Sequence, residues 1–370
     1  MASSSFPANL IICDQSSMSV QELVKNPLPS LPQRYIREDH YQLSETESLL
    51  IDAEAEPIPI LDMNRFLSEQ HREGELRKFH SACRDWGIFQ VVNHGVSEEQ
   101  LEELRNGVEG FFSLPLQEKM KYKIRPGDVE GYGTVIRSQD QKQDWCDRFY
   151  MTINPIHKRK PYLFPKLPSS LRTILDLYIQ KVQNLGMTLL SLLEKELKME
   201  EREMREALED GMQSLRMTYY PPCPKPELVM GFAAHSDSSV ITILNEVNGV
   251  SGLEVKKNGV WLPVNFLPNS LVVNVGDILE IMSNGVYKSA EHRVTVNTDK
   301  ERISMALFFL AKLEAEVGPA KSLISPENPP LFKRMGMEKY LNDYFSRKQQ
   351  GKSFLEYMSI KKEHVIASTM

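Results

Sequence analysis

Long apolar runs are missing from this chain of 370 residues. The longest uninterrupted stretches, such as Met305 to Ala311, fall far short of the roughly 20 residues that a transmembrane helix needs. A membrane span is therefore not expected. Cysteine is scarce as well. Cys13, Cys83, Cys146 and Cys223 lie 63 to 77 residues apart with no CxxC pair, which argues against a disulfide framework and against a thiolate zinc site. Basic blocks are absent: 44 Lys and Arg against 50 Asp and Glu give a net charge of -6, and no positive stripe marks a nucleic-acid footprint. Residues 1 to 24 contain neither Lys nor Arg, and the short "LII" is followed at once by Cys13, Asp14 and Gln15, so no secretory core is formed. The expectation is a cytoplasmic monomer that uses neither membrane nor nucleic acid.

What the chain does have, 41% hydrophobic and 25% charged residues, suits a globular protein. Residues 1–55, rich in Ser, Pro, Glu and Gln, read as an extended arm on the surface. A region over 57–168 follows. "PIPILDM" suggests a short strand, Leu76, Phe79, Cys83 and Trp86 keep helical spacing, and "IFQVVNHG" is a β-branched strand. Ser97 and Gln100 form a capping box ahead of the stripe Leu101, Leu104, Val108 and Phe111. Support helices are expected over 169–212, where Leu171 to Leu193 hold the helical period through 169–198 and a charged helix follows. From 213 to 312 the period changes. "SLRMTYY", "MGFAAHSD", "SVITILNE", "GLEVKK", "VWLPVN", "SLVVNVGDILEIMS", "EHRVTVN" and "RISMALFFLA" read as about eight short strands, the pattern of a sandwich or a jelly roll. Residues 313–370 return to helix and a tail.

Chemistry concentrates in the β-rich stretch. His235-x-Asp237 ends an apolar strand, and residues i and i+2 of a strand share a face. His292 lies 55 residues beyond Asp237. Two imidazoles and a carboxylate are the facial set that leaves open positions on a ferrous ion. An isolated HxD is common by chance, so the next element matters. Arg302 and Ser304 again stand at i and i+2, and a buried Arg is costly unless an anion meets its planar fork. A small dicarboxylate reaching from the metal would be that anion; beside Asp299 and Lys300, the plainer alternative is a surface hairpin charge.

These residues, together with "WGIFQVVNHGV", "RMTYYPPCPKPE", "HSD", "VNVGDILEIMSNGVYKSAEHRV" and "RIS", closely resemble the plant iron(II) and 2-oxoglutarate dependent dioxygenases from about residue 57 to 362. The resemblance implies an α+β fold: a double-stranded β-helix (jelly roll) core, an N-terminal region of helices and strands, and C-terminal helices. It makes His235, Asp237 and His292 the iron ligands. It places Arg302 and Ser304 on the distal carboxylate of 2-oxoglutarate. Tyr220 carries over from the family's Asn-x-Tyr, whereas Thr218 stands where the family has Asn. By motif position, Arg216 and Phe308 flank the organic substrate, with Tyr132 and Phe149 closing the pocket. His94 is a turn residue, and Tyr219 and Cys223 are packing residues.

The implied reaction consumes Fe(II), 2-oxoglutarate and O2, with ascorbate as reductant, and releases succinate and CO2. It hydroxylates, demethylates or desaturates a largely apolar or aromatic small molecule. The arm, "DVEGYG" and "SQDQKQDWCD" point to the branch acting on specialised plant metabolites, including alkaloid O-demethylases, flavonoid oxygenases, a strigolactone-pathway oxidase and senescence-related dioxygenase-like proteins. Ser238, Ser239, Val240 and Ile241 replace a Gly-rich stretch common in those relatives. Two rivals are a zinc-type hydrolase, which has no use for Arg302 and Ser304, and a non-catalytic jelly-roll binding protein, which has no need of three metal ligands.

Overall fold

Alternation along each strand decides which layer each side chain enters. The computed structural model describes residues 19–37, 57–135, 141–200, 203–347 and 351–360. In chain order its main strands are β1 (Ile60–Asp62), β2 (Ile88–Val92), β3 (Gly131–Tyr132), β4 (Asp147–Asn154), β5 (Gln213–Tyr220), β6 (Phe232–His235), β7 (Ile241–Glu246), β8 (Leu253–Lys257), β9 (Val260–Pro263), β10 (Leu271–Val275), β11 (His292–Val294) and β12 (Arg302–Phe309). An eight-stranded sheet runs β1-β2-β10-β7-β12-β5-β4-β3, and a four-stranded sheet runs β6-β11-β8-β9. The eight strands expected between 213 and 312 are all present, four in each sheet, and form the jelly roll. β1 and β2 extend one edge of the larger sheet, and β3 and β4 the other.

β12 shows how one strand serves two layers. Ile303, Met305, Leu307 and Phe309 join the apolar core that also holds Leu175, Tyr178, Val182 and Leu189 of the Ser169–Glu196 helix. Arg302, Ser304, Ala306 and Phe308 point the other way, into the space between the sheets. The inter-sheet core is small: Tyr220, Phe232, Leu253, Val255, Val272 and Val294 fill part of it. The rest stays open for ligands.

Three expectations change. "DILEIM" is not the continuation of a strand: β10 stops at Val275, and Asp277–Met282 is a short helix with every residue buried. An apolar run buried on all sides carries no period to tell strand from helix. β6 ends at His235, so Asp237 lies just beyond the strand rather than within it. The described part of the arm, 19–37, does not simply lie on the surface. Val20, Leu31 and Tyr35 are buried against Trp145, Cys223 and Val229, and Tyr35 meets Trp145 edge-on at 5.0 Å. Ser19 caps a one-turn helix, Val20–Leu23, and Asp147 accepts from Ser19 Oγ at 2.6 Å and the Val20 amide at 2.7 Å. The remainder of the arm, with Cys13, lies outside the described residues, as does part of "SQDQKQDWCD". Cys83, Cys146 and Cys223 are buried free thiols. Among the described residues no helix is long and apolar enough to cross a membrane.

The short helix is tied to the segment after β6 by backbone hydrogen bonds as well as by the Ser236 side chain. The Asp277 amide donates to the Asp237 carbonyl at 2.8 Å, and the Gly276 amide to the Val240 carbonyl at 2.9 Å. Contact is so close that a Cβ on Gly276 would stand 2.1 Å from the Ser239 carbonyl oxygen. Gly276→Ala is therefore expected to lower the unfolding free energy by about 1 to 3 kcal/mol, the scale of overpacking against backbone. Urea unfolding checks this; a midpoint equal to wild type would contradict the close approach.

Candidate active site

β6 and β11 are antiparallel neighbours, and their register pairs His235 directly with His292. The two imidazole centroids are 4.3 Å apart. Asp237 completes the group: one ligand atom from each of the three residues lies within 4.8 Å of the others. All three side chains are buried.

Hydrogen bonds fix which atoms face the centre. The Nδ1 of His235 lies 2.8 Å from the Ala233 carbonyl, and that of His292 lies 3.0 Å from the Ala290 carbonyl. A carbonyl only accepts, so Nδ1 carries a proton in both rings and Nε2 is the ring atom turned to the centre. Thr242 Oγ1 and Asn274 Nδ2 donate to Asp237 Oδ2 at 2.6 and 2.8 Å. That leaves Oδ1 towards the two imidazoles, 3.5 Å from His235 Nε2 and 3.9 Å from His292 Nε2. Burial alone would raise the Asp237 carboxyl, but the neighbouring His292, His235 and Arg216 hold it well below the usual range. Burial, and then the neighbouring His235, push His292 down to about 4. An ionised carboxylate and neutral imidazoles are the forms that ligate a metal. His235 Nε2 is buried with no hydrogen-bond partner, as expected of an atom reserved for a cation. The donor set fits ferrous iron.

Two cavities meet here. The smaller, of about 450 Å³, runs from His235, Asp237 and His292 to Tyr220, Arg302 and Ser304. Arg302 is 2% exposed, and its three guanidinium nitrogens make no hydrogen bond. The larger cavity, of about 1050 Å³, reaches Phe308, Tyr150 and Arg148 on the big sheet, and Leu341 and Tyr344 of the Met337–Ser346 helix. Arg216, Phe232, His235 and Asp237 form the wall common to both.

The structure thus brings His235, Asp237, His292, Arg302, Ser304 and Tyr220 around one space, with Arg216 on the shared wall and Phe308 on the larger cavity. Arg216 lies 5.0 Å from the Phe308 ring centroid and 4.5 Å from that of Phe232. Thr218 pairs with Ser304 across β5 and β12 and lines neither cavity. Tyr132 and Phe149, expected to close the substrate pocket, do not line either cavity, because strand parity turns them away. On β4 it is Arg148, Tyr150 and Thr152 that line the cavity, whereas Phe149 stacks on Phe111 at 5.0 Å on the other face. Tyr132, opposite Phe149 in β3, donates its hydroxyl to Asp147 at 3.0 Å. His94 holds a turn, its Nε2 2.8 Å from the Asn269 carbonyl.

Sequence reasoning missed Thr242 and Asn274. The signal was present: each is a polar residue inside an apolar strand, in "ITILNE" and "LVVNV". It also missed Asp277, which accepts from Ser236 Oγ at 3.1 Å and Ser289 Oγ at 2.6 Å and so ties the two ligand segments together. The contribution of the Met337–Ser346 helix has no local signal at all.

A jelly roll with a buried His/Asp/His group, opening towards a buried arginine, defines a class of mononuclear iron oxygenase. Comparison with known proteins gives the same answer: residues 211–311 match the 2OG-Fe(II) oxygenase superfamily, and residues 58–168 match the N-terminal region of the non-haem dioxygenases in morphine synthesis. The chain is 47% identical to codeine O-demethylase of Papaver somniferum over 92% of its own length and 95% of that protein's. It is 44% identical to oxoglutarate-dependent flavonoid 7-O-demethylase 1 of Ocimum basilicum, over 93% and 91%. The crystal structure of JOX2 in complex with 2OG, Fe and JA superposes with a TM-score of 0.83 at 35% identity, covering 92% of this chain and 97% of that one. The chain belongs to the 2-oxoglutarate and Fe(II) dependent oxygenases, in the branch that serves plant specialised metabolism. It is an oxidoreductase that uses Fe(II) and 2-oxoglutarate to oxidise a small molecule.

Removing one of the hydrogen bonds that orient Asp237 tests the geometry. Thr242→Val and Asn274→Leu are each expected to weaken Fe(II) affinity by about 10- to 100-fold, the usual effect of losing an outer partner of a metal ligand. Metal titration of the folded variants, followed by calorimetry, is the check; unchanged affinity in both would show that the two bonds do not serve the metal.

Proposed function

We propose that His235, Asp237 and His292 hold the iron, that Arg302, Ser304 and Tyr220 receive the distal carboxylate of 2-oxoglutarate, and that the organic substrate occupies the larger cavity beside Arg216 and Phe308. The observation that carries this reading is the common wall. Two cavities of different character touch the same two ligands, His235 and Asp237, so co-substrate and substrate approach one metal from different sides. When bound, iron and 2-oxoglutarate supply the activation of dioxygen, with release of succinate and CO2. The chain's own residues bind, orient and exclude water.

Each role follows from the surroundings. Arg302 brings a planar fork with no hydrogen bond of its own, suited to a carboxylate bidentately. Ser304, two residues on and on the same face, adds a hydroxyl. Thr218, off the cavity wall, leaves the family's Asn contact to Tyr220. In the larger cavity Val129, Val135, Met212, Phe232, Phe308 and Leu310 offer apolar and aromatic surface. The substrate is accordingly a largely apolar, aromatic small molecule. Two of the relatives are named as O-demethylases, and the favoured outcome is oxidation of an aryl methyl ether with loss of formaldehyde. A monomeric, cytoplasmic enzyme without a nucleic-acid or membrane partner completes the proposal.

Anaerobic titration with Fe(II) and 2-oxoglutarate is expected to give a visible charge-transfer band that His235→Ala and Asp237→Ala abolish while their circular dichroism stays native. A band of full intensity in either variant would refute the ligand assignment. For the substrate side, Phe308→Ala is expected to weaken substrate binding and to let succinate form without product, because co-substrate and metal remain assembled. Succinate and formaldehyde are measured separately with methoxylated polycyclic aromatics. Coupled products at wild-type substrate affinity would place the substrate elsewhere, and hydroxylated product without formaldehyde would rule out demethylation.

A further inference from the structure

Arg302 does not stand alone in the dry space between the sheets. Glu246, the last residue of β7, lies opposite Ser304 in register with β12. Its Oε2 is 3.6 Å from Arg302 Nη2, with side-chain exposures of 5% and 2% respectively. That separation is too long for a hydrogen bond, and the same Oε2 is buried without a hydrogen-bond partner. A buried carboxylate therefore sits beside the cation proposed to receive the co-substrate's own carboxylate.

We infer that Glu246 sets the affinity for 2-oxoglutarate by competing, in its ionised form, for Arg302. This rests on the assignment of the distal carboxylate to Arg302. One guanidinium and one incoming carboxylate balance; a second, ionised carboxylate leaves a buried negative charge uncompensated. Protonated Glu246 is neutral, and the conflict disappears. Burial pushes its carboxyl up to about 7, against the pull of Arg302, so the change of state falls within the working pH range. The groups packed around it leave the control to that one pair. Its register partner Ser304 on β12 and its chain neighbours Asn245 and Val247 are uncharged. Tyr220 on β5 has a phenol raised by burial and stays neutral. Among the described residues, Arg302 is the charged group that acts on Glu246.

The sign follows. Binding of 2-oxoglutarate favours the protonated acid, so above pH about 7 it must take up a proton, and affinity falls as pH rises. Calorimetric titration of 2-oxoglutarate into the full-length, Mn(II)-loaded protein from pH 6 to 8.5 reads this without turnover. Wild type is expected to show a Kd rising about tenfold across the range, one unit of linked protonation. Glu246→Gln, neutral at every pH and of the same shape, is expected to bind about tenfold more tightly than wild type at pH 8.5 and to show a flat profile; Glu246→Ala should be flat as well. A wild-type Kd that does not rise, or a Gln variant that binds no more tightly at pH 8.5, overturns the inference. Arg302→Ala separates the two layers. Loss of binding there, with no gain in Glu246→Gln, defeats the role of Glu246 alone, whereas wild-type binding in Arg302→Ala defeats the carboxylate assignment beneath it.

Discussion

A fully buried guanidinium without a hydrogen bond is among the most costly groups a fold can hold, and the interior of this protein is arranged around one. Arg302 has no partner at bonding distance, and Glu246 at 3.6 Å offers only partial compensation. Such a residue is stable in this place only because the surrounding structure holds it there, and an anion meeting it would relieve the cost. The same reasoning applies to His235, whose ring nitrogen points into the centre with nothing to accept from or donate to. The fold keeps unsatisfied those atoms that a metal and a co-substrate would satisfy. Binding energy is thus stored as polar groups desolvated in advance, with little reorganisation left for the moment of binding.

Everything else in the core serves to hold those groups still. The pairing of β6 with β11 sets the two imidazoles side by side, and carbonyls fix both tautomers. Thr242 and Asn274 come from the opposite sheet to turn the Asp237 carboxylate, so the metal site is clamped from both layers. Behind the larger sheet the Ser169–Glu196 helix packs on the odd-numbered residues of β12 and leaves the even-numbered ones for ligands. Arg302 and Phe308 are six residues apart on that inward row, roughly 20 Å at strand spacing. This length separates the smaller cavity, at Arg302, from the larger, at Phe308, along a single strand.

Several features were legible in the sequence because they are local. The HxD pair, His292, Arg302 and Ser304 are residue types in a pattern, and the helical and strand periods around them survive without knowledge of neighbours. The capping box at Ser97 and Gln100 is present with both of its hydrogen bonds. Parity is where the reading failed. Phe149 and Tyr132 are large aromatics near the right region, yet one residue along a strand reverses the face, and only the register of β4 against β5 says that Tyr150 opposes Arg216. "DILEIM" failed for a related reason, since a segment buried on every side has no pattern to read.

Local pattern was enough for the strand-rich core and for the positions of His235, Asp237, His292 and Arg302, and the resemblance those motifs carry gave the family. Only the folded structure settles which aromatics face the cavity, that the arm at Ser19 is held by Asp147, that the Met337–Ser346 helix walls the larger cavity, and that Glu246 stands beside Arg302. These are contacts between segments far apart in the chain. No periodicity encodes them, since they are fixed by strand order and register, which emerge only when the two sheets close on one another.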